Sequence, residues 1–303
     1  MIRIRACITT NTVIKGLHIR TLFFLLLFSG TSVLLFLSVV PAKKEINREV
    51  ISELFDPELQ ALNSKSRLTA YIDSLFYLHQ KTELSFDTPA YVNLVSDVVK
   101  KRFFHGLSSY SLYDNWIAAL SGKIFWDHLS AIVDPDDILK HPNALCSQQN
   151  IIFATILKEK GIVSRAVGLG TPEGPGHYLS EVWYEGHWHL YDVDREPYWQ
   201  KAPTAYHKDL AFFLQNKDIL YDIYENRISR TNLDLLLKDV KYGEPDIFPA
   251  RKMLFFHQLT SMLTYVLPLF FLYMLLRSLA KVGKNRKKQA EKKSVLEKEA
   301  LMM

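Results

Sequence analysis

Hydrophobic positions fall into three regimes along this chain. Residues 21–40 form an apolar run without one charged side chain, about long enough to cross a bilayer. Residues 254–276 form a second run, interrupted by His257, Gln258 and Pro268. It is too long and too uniformly apolar for a buried core helix. Between the runs the pattern turns periodic. Apolar residues recur at helical spacing in 47–62, 67–79 and 90–104, as with Val50, Leu54 and Phe55, or Tyr91, Leu94, Val95 and Val98. These stretches predict amphipathic helices packed ahead of a further helix over 145–160, with 111–120 as a fourth in the group. Asn143 is placed to cap the start of the 145–160 helix and Gly161 to end it. Asp134-Pro135-Asp136-Asp137 predicts a turn or helix start, its acids forming a solvated cap rather than a metal site.

Three strands follow, over 162–169, 178–184 and 187–193. The second and third make a hairpin if Glu185-Gly186 is its two-residue turn, with glycine available for positive φ. The glycine- and proline-rich stretch 168–176 is a loop ending at His177. Helices are expected over 204–216 and 232–240, and 242–249 reads as a linker. Neither an internal repeat nor a Gly-rich phosphate loop is visible.

Charge adds orientation. The residues before Thr21 carry Arg3, Arg5, Lys15 and Arg20 and no acid; those from Arg277 onward carry nine bases against three acids. The flanks therefore hold +4 and +6 of a net +5, leaving about −5 between them. Basic flanks stay in the cytoplasm, so a two-pass topology follows. It has a leader (1–20), a membrane helix (21–40), an outer domain (41–252), a second membrane helix (254–276) and a basic cytoplasmic tail (277–303). A signal peptide cut near Ala42 is the competing reading of the first run, which is longer than a usual signal core. The alkaline pI belongs to the tails. It signals topology, with anionic lipid contact second, and gives no reason to expect a nucleic-acid partner.

The outer domain holds one cysteine, Cys146; the other, Cys7, lies in the leader. Cys146 opens the 145–160 helix, where unpaired N–H groups and the helix dipole favour a thiolate. His177 and Asp192 follow on successive strands. An imidazole can hold the thiol proton, and a carboxylate can orient the imidazole. With the turn at Glu185-Gly186, Trp183 pairs with Trp188. Extending that pairing sets Leu179 opposite Asp192 and His177 opposite Asp194, so both aspartates share the face of His177. Geometry alone leaves the choice between them open. His187 and His189 could suggest a metal cluster with these groups, but His189 falls on the opposite face from His177, and no metal or cofactor is expected.

The order Cys146, His177, Asp192, with Trp188 four residues before the aspartate, resembles the transglutaminase-like superfamily. The likeness covers 143–194, including Gly161 to Gly168 as the first strand after the helix. It implies an α+β, papain-like fold with a catalytic helix and a small antiparallel sheet, and it favours Asp192 as the orienting carboxylate. Leu145 stands where many relatives carry a small residue. The implied chemistry is attack of Cys146 on an amide or ester carbonyl, followed by transfer to an amine or to water. Protein, peptide or surface-polymer substrates and a periplasmic domain on a bacterial inner membrane follow by analogy. In some relatives an upstream tryptophan helps bind the oxyanion. Trp116 and Trp126 are the candidates, with core packing as the other role; the backbone N–H of Cys146 is the expected donor. A non-catalytic, membrane-tethered binding or scaffold module is the alternative.

Overall fold

The computed structural model describes residues 2–40, 55–79, 86–170 and 176–302. Ala42, the start of the first expected amphipathic helix (47–54) and the centre of the glycine-rich loop (171–175) lie outside the described residues. In chain order the elements are α1 (Ile2–Val39), α2 (Lys65–His79), α3 (Thr88–Arg102), β1 (Phe104–His105), α4 (Trp116–Ile124), α5 (Pro135–Leu139), β2 (Asn143–Ala144) and α6 (Cys146–Glu159). Then come β3 (Ser164–Leu169), β4 (His177–Tyr184), β5 (His187–Tyr191), α7 (Leu210–Gln215), α8 (Lys217–Ile223), α9 (Arg230–Leu236), β6 (Val240–Tyr242) and α10 (Arg251–Leu301). The chain mixes helix with small sheets and divides into two compact units.

One unit comprises Met1–Ala42, Tyr110–Ser130 and Gln258–Met303. Its two long helices are long and apolar enough to cross a membrane. Both exceed the apolar runs: α1 continues back through the leader to Ile2, and α10 continues through the basic tail to Leu301. At 1.5 Å per residue, the 51 residues of α10 span about 76 Å, more than twice a bilayer core. The tail, expected to be mobile or frayed, is helical because Ala, Lys, Glu and Leu are strong helix formers. Hydroxyls in α1 are satisfied inside the helix, Thr21 and Thr31 donating to the carbonyls of Leu17 and Leu27. The helix expected over 111–120 starts later, at Trp116, and belongs to this unit rather than to the bundle around α6. Asn115 explains both shifts. Its Oδ1 accepts the N–H of Ala118 as an N-cap, and its Nδ2 donates to Thr260 Oγ1 (2.8 Å) and Ser261 Oγ (3.1 Å) on α10.

The other unit, Lys43–Ser109 with Ala131–His257, holds the sheet. Four strands run antiparallel in the order β5-β4-β3-β6. The β4–β5 hairpin has the expected register, Tyr184 opposite His187 and Trp183 opposite Trp188. Its turn residues Glu185 and Gly186 both have positive φ (51° and 81°), the type I′ geometry that suits strand twist. Helix α6 packs on β3 and β4, and α3 packs behind it. Leu68, Ile72 and Phe76 recur every fourth residue on α2 and are buried, as are Val92, Val95 and Val99 on α3. A second apolar cluster joins Val167, Leu179 and Leu190 of the sheet to Phe213, Ile223 and Leu233 of α7, α8 and α9. The sheet is thus covered by helices, which is why Leu179 to Val182 of β4 are buried in succession instead of alternating. The helix expected over 204–216 is confined to α7, after a short 3₁₀ turn at Pro203–Ala205.

Candidate active site

Cys146 is the first residue of α6 and is buried. Asn143 does not cap that helix. It sits in β2, three residues before Cys146, where pairing with β1 fixes its backbone. The N-cap is Leu145, which has no side-chain acceptor, so no N-cap side chain serves the first N–H groups of α6. Gln148 anchors this helix start. Its Oε1 accepts from the N–H groups of Leu145 (3.1 Å) and Ser108 (3.0 Å), while its Nε2 donates to the carbonyls of Ser108 and Ile132 (both 2.7 Å). Gly161, with φ +69°, ends the helix as expected.

His177 opens β4, and its Nε2–H donates to Asp192 Oδ2 at 2.7 Å. The ring's other nitrogen, Nδ1, is left for the thiol, and the imidazole and the Cys146 sulfur lie within 4.8 Å of each other. The expected pairing of strands does not reach Asp192, because the ladder stops at Ser180 opposite Tyr191. Asp192 instead starts a turn: its Oδ1 accepts from the backbone N–H groups of Asp194 (3.1 Å) and Arg195 (2.9 Å). Its Oδ2 takes a further hydrogen bond, from Tyr224 Oη at 2.9 Å. Burial alone would push the His177 pKa down. The Asp192 charge and hydrogen bond, with the Cys146 sulfur, outweigh it and hold the imidazole well above its ordinary range. Burial opposes ionisation of Asp192 too, but the imidazolium and the converging donors hold its carboxyl below the usual range.

Asp194 is also in the site, in a different role from that geometry suggested. It does not pair with His177. Its Oδ1 accepts from His105 Nδ1 and from Gln149 Nε2, both at 2.8 Å. Cys146, His177 and Asp194 each place a ligand-type atom within 4.8 Å of the others. A thiolate, an imidazole and a carboxylate at that spacing could hold a soft divalent cation, which would occupy the thiol. Among the described residues His187 and His189 join no metal-type grouping; His189 pairs with Val182 and stacks on Tyr184 at 3.5 Å. Burial, then the neighbouring His187, push its pKa down to about 4.

His105 is the residue that sequence reasoning missed. It is delivered by the two-residue parallel ladder β1–β2, in which His105 lies opposite Ala144, two residues before Cys146. The buried Arg102 supports that ladder by donating to the carbonyls of Leu139 (2.6 Å) and His141 (3.2 Å), just before β2. A histidine ending an apolar run (Phe103-Phe104-His105) before Gly106 was the available signal. Trp116 and Trp126 both belong to the other unit. No protein-family model, no curated protein and no solved structure matches this chain at a significant level.

Proposed function

We propose that this protein is a membrane-anchored cysteine acyltransferase or amidohydrolase of transglutaminase-like type. The observation that carries the reading is a buried thiol at a helix start, within 4.8 Å of an imidazole that is itself held by a buried carboxylate. In the proposed reaction Cys146 Sγ attacks an amide or ester carbonyl carbon. The bond from carbonyl carbon to the leaving nitrogen or oxygen breaks, and the leaving group takes its proton from His177. Asp192 keeps the ring oriented and stabilises the imidazolium. The thioacyl intermediate then passes to an amine or to water. The basic flanks of the two apolar helices support cytoplasmic termini, with the Cys146 unit on the far side of the bilayer. On that side, protein, peptide and surface-polymer carbonyls are the available substrate classes.

The test uses the full chain in detergent. Cys146 is expected to be alkylated by iodoacetamide near neutral pH faster than a free thiol, and His177→Ala is expected to abolish the excess. Equal rates for wild type and variant would instead favour a binding or scaffold module that keeps the fold without the chemistry. Labelling of a reporter cysteine in the loop 171–175 by an impermeant maleimide, in intact cells, checks the topology. Labelling only after lysis overturns it.

A further inference from the structure

Within the membrane-helix unit, α1 and α10 enclose a pocket of about 100 Å³ lined by Leu17, Arg20, Phe24, Met274, Arg277, Ser278 and Lys281. The spacing places these residues on facing stripes: Leu17, Arg20 and Phe24 stand three and four apart on α1, and Met274, Arg277, Ser278 and Lys281 do the same on α10. A Thr21–Ser278 hydroxyl contact at 2.7 Å joins the two helices there. Three cations converge at the basic end of both apolar spans, and no carboxylate is among the lining residues. Leu17, Phe24 and Met274 add apolar surface beside them. We propose that this pocket binds the headgroup phosphate of an anionic phospholipid, its acyl chains lying along the two helices. Phosphate in reach of guanidinium and ammonium groups, beside apolar surface, is the chemistry of such sites.

Native mass spectrometry of the full chain in detergent tests this, with phosphatidylglycerol, phosphatidylcholine and inorganic phosphate as probes. Phosphatidylglycerol is expected to bind at least tenfold tighter than phosphatidylcholine. Neutralising Arg20, Arg277 or Lys281 with Gln is expected to weaken it about fivefold each. Equal binding of the two lipids, or a triple Gln variant that keeps wild-type affinity, overturns the site. Displacement of the lipid by equimolar inorganic phosphate overturns its assignment to a lipid. Unchanged thermal unfolding of the variants in the same detergent separates lost binding from lost fold.

A second inference comes from a different observation and rests on the acyl-transfer reading. Asp194 lies between the Cys146–His177 pair and His105. The Asp194 side chain is 2 % exposed and that of His105 is 32 % exposed. With Nδ1–H donating to Asp194, His105 presents Nε2 as a base on the open side of the site. Gln149 Oε1 is a buried acceptor without a hydrogen-bond donor, and Asp194 Oδ2 has the Arg195 guanidinium at 3.4 Å but no hydrogen bond, so this side of the site favours a molecule bearing N–H or O–H groups. We infer that His105 is the general base for the acyl acceptor, and that Asp194 positions it. The acceptor's N–H or O–H gives its proton to His105 Nε2 while its lone pair forms the new C–N or C–O bond. The C–S bond breaks, its electron pair returning to Cys146 as thiolate. His105 releases the proton to solvent, and His177 regains one from there.

The experiment uses the full chain in detergent with p-nitrophenyl acetate as acyl donor, with and without ethylamine. In His105→Asn the amide nitrogen can still donate to Asp194 where Nδ1 did, but Nε2 is gone. The p-nitrophenolate burst is expected to persist while steady-state release of both acetate and N-ethylacetamide falls about 100-fold. The acetyl-enzyme should accumulate by intact mass, and added imidazole should restore turnover in His105→Ala. Retention of either product within threefold of wild type in His105→Asn overturns the role of His105. Absence of any Cys146-dependent burst in the wild type is a different failure: it removes the acyl-transfer reading itself, and this inference with it.

Discussion

His177–Asp192 and His105–Asp194 join the same residue types at nearly the same distance, 2.7 and 2.8 Å, yet their surroundings set them to different work. The first pair is enclosed. Asp192 collects donors from His177, Tyr224 and two backbone N–H groups, and the ring lies within 4.8 Å of the thiol. The second opens outward through a histidine one-third exposed, over an aspartate whose second oxygen faces the Arg195 guanidinium at 3.4 Å without a hydrogen bond. A closed pair holds one proton arrangement fixed; an open pair can exchange protons with solvent and with an incoming molecule. His207 supplies a third case. It is buried against the Leu190 carbonyl (2.5 Å) and stacked on Tyr191, without a carboxylate. Burial, helped by nearby His189, pushes its pKa down to about 4, whereas His177, equally buried, is held up by Asp192.

The strongest way to break this comparison is to remove the thiol beside which both pairs lie. Cys146→Ala is expected to end all acyl turnover while costing folding at most about 1 kcal/mol, the scale of a small buried group. Urea unfolding of the variant decides it, and a much larger loss would make Cys146 a core residue first.

Next in size is the enclosed pair. Asp192→Asn leaves a buried imidazole and its other donors facing an amide, and is expected to cost about 3–5 kcal/mol. It should also slow iodoacetamide alkylation of Cys146 more than Asp194→Asn does. The reverse ranking would move the orienting role to Asp194.

Acid sharpens the contrast between His177 and His207. Because the pKa of His207 is lower folded than unfolded, its contribution is complete above about pH 6.5. It fades as the pH falls to about 4, a loss of roughly 3 kcal/mol. His177 runs the other way. Its folded pKa is raised, so its contribution is complete below about 6.5 and is lost only as the pH rises through the raised value. Thermal unfolding against pH should therefore show an acid limb that His207→Phe flattens and an alkaline limb that His177→Ala removes.

The smallest effect belongs to the open pair. His105→Asn is expected to change stability by less than about 1 kcal/mol, as partly exposed pairs do, and denaturant titration measures it. A larger loss would place His105 among the structural residues.

The sequence by itself determined whatever is encoded locally. Two uncharged runs announce helices α1 and α10, because a bilayer demands length and apolarity and nothing else. Periodicity over 67–79 and 90–104 announces α2 and α3. Gly161 and Glu185-Gly186 announce a helix end and a hairpin turn, because their backbone angles are a property of those few residues. From these the positions of Cys146, His177 and Asp192 follow within one helix and one hairpin. Only the tertiary structure decided the rest of the site. Strands of two residues carry no periodicity, so the β1–β2 ladder that brings His105 beside the helix start could not be read. Counting strand positions put Asp194 opposite His177, but the four donors converging on Asp192 end the strand and turn Asp194 toward His105 and Gln149. The same reason moved 111–120 out of the bundle: one hydrogen-bonding side chain, Asn115, finds Thr260 far along the chain. Contacts between distant residues depend on where the fold brings them, and no local pattern carries that information.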